Sequence, residues 1–343
     1  MKSKQAQYKE HFPKPEMNVK LHETQHGTTP EGKQLIRRGL VLLKDVKEGE
    51  VIFSEDPFVS SLFIDKEESD YCSNCLDSVT DFKSSKYCSA KCHKEAWSIF
   101  GGNVLYPEDK PEATSPETAQ SQQSIRNAVN LAEFCKEKNL ITPLLTVKLI
   151  GKMMSEEQQG TAGTLSEYST WDHIDRFHYI DLAKPTDVDG EKIWFASLEQ
   201  IEKEYKLVFA LFNKTPKFDK FLTDERYMVI KGKFLYNAIS IISENEVKKT
   251  EEKEKPKGEY FKSSTNKSRE VGVGLYHIAS YLSHSCEPNV EFKFGSLNKE
   301  KKAGSLLNVV AKKDLTKGDE IFINFVDTTL NKKQRKRILK EKV

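Results

Sequence analysis

The sequence predicts an α+β fold in which two β-rich halves, one near each end, are separated by a small cysteine-rich insertion and a longer helical one. Three observations predict it. One strand–turn–strand phrase occurs twice: Leu40-Val41-Leu42-Leu43, a turn over residues 45–50 and Val51-Ile52-Phe53 come first. Later Val309-Val310-Ala311, a turn over residues 313–320 and Ile321-Phe322-Ile323 repeat it. Two copies are too few for a repeat architecture, which needs at least about three units, so they read as halves of one domain. The alternation Val290-Glu291-Phe292-Lys293-Phe294 marks a further half-buried strand. Between the halves the apolar period changes to that of helices.

Taken in order, residues 1–34 are polar, contain Pro13, Pro15 and Pro30, and read as a flexible lead-in. The first β half spans 35–70 and the cysteine-rich unit 71–104. Residues 105–124, rich in Pro, Ser, Thr, Glu and Gln, read as a linker. A helical insert follows over 125–230. Ser124 is a candidate cap for a helix carrying Ile125, Ala128, Val129, Ala132 and Cys135 on one face. Thr142-Pro143 opens a second helix with Leu145, Leu149 and Met153, proline being tolerated in a first turn. Ser197-x-x-Gln200 is a capping-box start for a third, whose stripe of Leu198, Ile201, Tyr205, Val208, Phe209 and Phe212 reads as core. The second β half spans 231–330, with a charged, mobile loop over 244–270. The basic end, 331–343, reads either as a nuclear-import patch or as the polar face of a helix backed by Leu330, Ile338 and Leu339; the helix is favoured.

Composition narrows the functional classes. The chain of 343 residues is 31% charged with a formal net charge of +2, so no global field points to nucleic acid. No run approaches the ~18 apolar residues of a membrane span, and the first residues lack the apolar region of a secretion signal. Of six cysteines, four are arranged as Cys72-x2-Cys75, a gap of twelve, and Cys88-x3-Cys92. Without a secretory signal such pairs are read as metal ligands, and four thiolates suit tetrahedral Zn²⁺. The alternative is four merely buried thiols. Cysteine usage fits a reducing compartment, cytoplasm or nucleus.

The densest chemistry lies in GVGLYHIASYLSHSCEPNVEFKF, residues 272–294. Polar groups there sit among apolar ones, where each costs ~1–3 kcal/mol if buried without a partner. The string resembles the family of protein-lysine methyltransferases in which a SET domain is interrupted by a MYND zinc finger. Gly274-Leu275-Tyr276, Ser280, Leu282, His284-Ser285-Cys286 and Pro288-Asn289 carry the resemblance, and Ser283 stands where the family has Asn. Further matches are Arg38-Gly39-Leu40, with Arg37 where the family has Gly; Asp45, Gly49, Glu50 and Ile52; Gly232 with Asn237; and Gly318-Asp319-Glu320-Ile321. Asp70-Tyr71, Tyr87-Cys88-Ser89 and Trp97 resemble a MYND finger.

The resemblance implies SET-type sheets with a pseudoknot-like threading of the C-terminal crossing, an inserted finger and a helical subdomain. It implies that S-adenosylmethionine is held by Arg38, Gly39, Asn237, Ser280, Leu282, Ser283 and His284. A full MYND finger binds two zincs. Here the second ligand pair, due near residues 81–85, and the closing His-x3-Cys beyond Trp97 are missing, so one zinc at Cys72, Cys75, Cys88 and Cys92 is expected. No cysteine follows Cys286, so the post-SET zinc of the family is not expected either. The family's catalytic Tyr is replaced by Phe325, with Tyr276 or Tyr281 as candidate substitute hydroxyls. Two readings stay open. One is S-adenosylmethionine-dependent methyl transfer to a lysine of a protein or peptide, weakened at Phe325. The other is a non-catalytic, zinc-dependent adaptor that binds a proline-rich peptide through its finger. A monomer without membrane or nucleic-acid partners is expected in both.

Overall fold

The last strand of the chain closes the fold on its first half. The computed structural model describes residues 8, 11–28, 32, 34–64, 71–79, 86–99, 105, 119–158, 168–212, 222–243, 259, 261–262, 269–296, 303–326, 328 and 330–341. One sheet has the order β1 (Val19–Thr28), β2 (Gln34–Leu42), β12 (Glu320–Ile323) and β9 (Ser283–His284). Strand β12 is antiparallel to β2, with Ile321 opposite Leu40, and parallel to β9, with Phe322 beside Ser283 and Ile323 beside His284. A second sheet orders β10 (Val290–Phe294), β11 (Leu307–Ala311) and β3 (Val51–Glu55), and a third orders β4 (Val59–Leu62), β8 (Glu270–Leu275) and β7 (Ile239–Ile242). Each sheet therefore joins residues from opposite ends of the chain.

The two similar turns meet face to face. Val46 and Leu315 exchange backbone hydrogen bonds, both of 2.9 Å. Around them Glu48 N donates to Asp314 and Lys317 N donates to Asp45. Leu40, Ile52, Val309 and Ile321, the apolar residues that flank the turns, share one buried core.

A second core is helical and contains Leu131, Leu145, Leu149, Val208 and Phe234. It is built from α2 (Ala119–Lys138), α3 (Thr142–Gln158), α5 (Leu198–Phe212) and α6 (Asp224–Asn237), with α4 (Thr170–Asp175) and a small hairpin of β5 (Thr186–Val188) and β6 (Glu191–Ile193) alongside. The remaining helices are α1 (Ala90–Ser98), in the cysteine-rich unit, and the C-terminal α7 (Lys332–Glu341). Helix α3 opens as its Thr-Pro start predicts, yet residues 142–150 are buried on every side. Between α5 and α6, Lys231 Nζ donates to Glu204 and Glu259 at 2.8 and 2.5 Å. Burial opposes its charge, but the two carboxylates outweigh burial and raise the lysine.

Several expectations are corrected. The lead-in assigned to 1–34 contains β1, whose register on β2 runs from Val19 opposite Leu42 to Thr28 opposite Gln34. Within it Tyr8 is buried and its hydroxyl bonds His173 and His277. Helix α2 begins at Ala119, inside the expected linker, rather than after Ser124. Its buried face is Ala128, Leu131, Phe134 and Cys135, while Val129 is 47% exposed. The first residue of the α5 stripe, Leu198, is 55% exposed, because the helix start leaves the core; Ser197 caps it as expected, accepting from Gln200 N at 3.1 Å. The helical region runs on through α6 to Asn237, past the boundary at 230. In the 244–270 insertion, Phe261 and Lys262 are buried rather than solvated; residues 244–258, 260 and 263–268 lie outside the described residues. The basic end forms α7, with Ile338 and Leu339 half-buried.

Candidate active site and metal centre

The four cysteines come together from two local structures. Cys72 and Cys75 flank a tight turn in which Leu76 N donates to Cys72 O at 2.9 Å and Leu76 adopts φ 59°. Cys88 precedes α1, and Ser89 caps that helix by accepting from Cys92 N at 3.2 Å. The four sulfurs lie within 4.8 Å of one another, and Cys88 Sγ is 3.6 Å from Cys75 and 3.5 Å from Cys92. Tetrahedral zinc with Zn–S bonds of about 2.3 Å places sulfurs roughly 3.8 Å apart, so these residues fit the ion. Burial and the neighbouring Cys72 push the Cys88 thiol up to about 12; a divalent cation removes that crowding penalty by binding the thiolates. His93 stacks on Tyr87 at 4.9 Å and lies outside the cluster. This is the one such cluster among the described residues; of the stretches where a second set of ligands was sought, positions 81–85 and 100–102 fall outside them.

The unit is docked firmly. Cys75 O accepts from Ser305 N at 2.8 Å, and Asp77 Oδ2 accepts from Ala303 N at 3.0 Å. A Cβ on Gly304 would lie 2.5 Å from the Leu76 backbone, so only glycine permits this approach. On the other side Lys148 of α3 donates to Ser60 O and Ser73 O.

The second site forms where β12 passes between β2 and β9. His284 Nδ1 accepts from Phe325 N at 3.0 Å, and the two rings stack with centroids 6.1 Å apart. That bond places the imidazole proton on Nε2, 3.5 Å from Cys286 Sγ. Burial, and then Arg335, lower the His284 pKa, so the ring is neutral. Asn289 locks the crossing, donating to Glu320 O at 2.9 Å and accepting from Phe322 N at 2.7 Å.

Two of the departures from the family pattern, Arg37 and Ser283, touch each other. Arg37 makes a two-pronged pair with Glu320, both contacts 2.8 Å, and also donates to Ser283 Oγ at 3.0 Å. A Cβ on Gly39 would stand 2.2 Å from Glu320 Oε1, so glycine makes room for the carboxylate that Arg37 holds. Arg37 and Glu320 were each marked in the sequence, but not as partners, because 283 residues separate them.

The other expected residues are placed as follows. Arg38 is exposed and pairs with Glu23 at 3.0 Å. Asn237, at the end of α6, donates both amide protons internally, to His178 O at 2.7 Å and Lys233 O at 2.8 Å. Ser280 Oγ donates to His277 O, and Leu282 is buried. Tyr276, the candidate substitute hydroxyl, donates its proton to Ser305 O at 2.6 Å, and its ring fills the space beside Gly274. Tyr281 packs instead toward His277.

Three residues were missed. Glu55 accepts from three successive amides, His277, Ile278 and Ala279, at 2.6, 2.8 and 3.0 Å, and so fixes the turn that leads into β9. Burial pushes this carboxyl up to about 7 against those amides. Tyr236 and Lys262 also border the site, Lys262 Nζ standing 4.4 Å from the Phe325 ring centre and 5.1 Å from that of Tyr236.

Comparison with known proteins agrees with this architecture. The SET domain model matches residues 37–326, most of the chain. The chain therefore belongs to the SET domain family. Among its relatives is a SET and MYND domain-containing protein of Dictyostelium discoideum, 26% identical over 81% of this chain and 70% of that protein. The human histone-lysine N-methyltransferase SMYD3 is 23% identical over 88% of this chain, and its mouse counterpart is equally similar over the same share. The chain spans 56% of the length of either mammalian relative.

Proposed function

We propose that this protein transfers a methyl group from S-adenosylmethionine to a lysine of a protein substrate. The observation that carries this reading is the convergence at one strand crossing of Gly39, Ser283–His284 and Phe325, which lie far apart in sequence. Kinship with proteins named as lysine methyltransferases supports it.

The residues suit the donor chemically. An amino-acid end with an ammonium and a carboxylate needs acceptors and a cation. Asn237 keeps its carbonyl oxygen as an acceptor once its amide protons are committed, and Arg38 offers exposed charge. Arg38, Gly39, Asn237 and the backbone of Ser283–His284 would hold the donor. When bound, S-adenosylmethionine supplies an electrophilic methyl on a sulfonium.

The chain's own part is to position and desolvate the acceptor amine. Free lysine has a pKa near ~10.4, so its nucleophilic form is scarce at neutral pH. Phe325, 8% exposed and stacked on a neutral imidazole, presents an apolar wall without a proton to give. Such walls disfavour the ammonium and raise the fraction of neutral amine. Holding that amine in line is worth several kcal/mol more.

Calorimetric titration of the zinc-loaded chain with S-adenosylmethionine tests the reading, with Asn237→Ala as control. Micromolar binding that the variant loses supports it; no binding at millimolar donor removes it.

A further inference from the structure

Lys262 differs from the other buried lysines. Lys148 donates to two carbonyls, Lys233 to three, and Lys231 to two carboxylates and a hydroxyl. Each ammonium is thus repaid for leaving water by oxygen partners, as burial of charge requires. Lys262 is only 7% exposed, yet no oxygen acceptor binds its Nζ among the described residues. It has instead two ring faces, Phe325 at 4.4 Å and Tyr236 at 5.1 Å. Rings attract a cation, but less than a carboxylate does.

The placement is enforced by the backbone. Lys262 N donates to Ala238 O at 3.2 Å, and Ser240 N donates to Lys262 O at 2.8 Å, a parallel bridge on Ile239. The lysine is thereby tied to the residues that directly follow Asn237. Phe261 anchors the segment in the helical core, and Glu259 is held by Lys231 and by the amides of Ile141 and Thr142. The lysine is pinned at both its amide and its carbonyl and aimed at the ring that stands where the family places its catalytic Tyr.

We propose that Lys262 occupies the acceptor position of this site from within the chain, between Tyr236 and Phe325, and is itself methylated there. The inference rests on the methyl-transfer reading and adds the identity of an acceptor. Burial alone lowers this amine to about 7, so a large share is neutral at neutral pH. The neutral Nζ lone pair forms the new N–C bond while the methyl–sulfur bond breaks. The bonding pair leaves with sulfur, which becomes a neutral thioether, and the amine becomes a methylammonium. The proton lost beforehand has gone to solvent, so no oxidant or further reactant is needed. An external lysine has to displace Lys262 to reach the same place. Tyr236, whose ring also faces the amine, is the aromatic group that contacts the acceptor from α6.

The test uses the full zinc-loaded chain. Before donor is added, carbon-13-labelled lysine in wild type and Lys262→Met assigns the Lys262 ε-carbon by NMR. A titration midpoint near 7 that is absent from the variant is expected; an ordinary surface midpoint would overturn the placement. The chain is then incubated with S-adenosylmethionine carrying a labelled methyl, and peptides are mapped by mass spectrometry. Label on Lys262, formed at a rate independent of protein concentration, is the expected result. Donor binding with methylation of an added lysine peptide but none of Lys262 would overturn this inference and leave the reading beneath it standing. Absence of donor binding would remove both. Lys262→Met, which frees the position, is expected to raise methylation of the added peptide, and an unchanged rate would argue against shared occupancy.

Discussion

At Phe325 a single oxygen separates the side chain from the tyrosine of the family pattern. The ring is retained and stacks on His284, while the backbone amide of the same residue fixes the imidazole. Restoring the hydroxyl with Phe325→Tyr is expected to speed methyl transfer by roughly tenfold or more, since one hydrogen bond to the acceptor is worth about 1–3 kcal/mol. Single-turnover assays at saturating donor would show it, and equal rates would mean that Phe325 does not face the acceptor. Lys262 makes a second claim at this scale. Its folded pKa, about 7, lies below the ordinary value of 10.5 because burial disfavours its charge. Between those values the unfolded chain binds the extra proton, so this group's contribution to stability rises with pH and is lost as pH falls through about 7. Lys262→Met is therefore expected to be more stable than wild type below neutrality, with the gap closing as pH approaches about 10. Urea midpoints of the two proteins across that window measure it; a constant gap would refute the shift.

Among the elements, the crossing of β12 depends on one side chain more than on its own length. Strand β12 has four residues and shares only two paired positions with each neighbour. Asn289 bonds the backbone of both Glu320 and Phe322 and so extends the pairing. Asn289→Ala leaves an amide and a carbonyl without partners in a half-buried place and is expected to destabilise the fold by about 2–4 kcal/mol. Asn289→Asp, which keeps the acceptor, should lose less. Denaturant unfolding followed by tryptophan fluorescence separates the two, and equal losses would mean that the acceptor contributes nothing.

At the level of the whole molecule, the cysteine unit would couple a bound metal to both cores. It binds the strand half through residues 303–305 and the helical half through Lys148. Removing zinc with a chelator is expected to lower the thermal midpoint of the entire chain rather than melt a separate finger, because metal binding contributes folding free energy directly. One equivalent of zinc per chain, lost in Cys72→Ser, would accompany it. Calorimetric scans decide the matter; an unchanged main transition after complete metal loss would show the unit to be an appendage.

Local pattern made much of this protein legible in its sequence. The strands over residues 40–43, 51–53, 290–294, 309–311 and 321–323, the proline-opened α3 and the cysteine cluster follow from side-chain period, turn chemistry and cysteine spacing. These depend on neighbours within one turn or one hairpin. Only the tertiary structure decided what depends on contacts between distant segments. The polar first residues become β1 because β2 offers them a partner edge. Arg37 meets Ser283 and Glu320, Glu55 caps a turn over two hundred residues away, and Lys262 is buried inside a segment whose composition reads as solvated loop. A hydrogen bond or a desolvated charge is set by which groups the fold brings within a few ångströms. That information resides in the strand order, where the end of the chain passes between β2 and β9, and not in any stretch read alone.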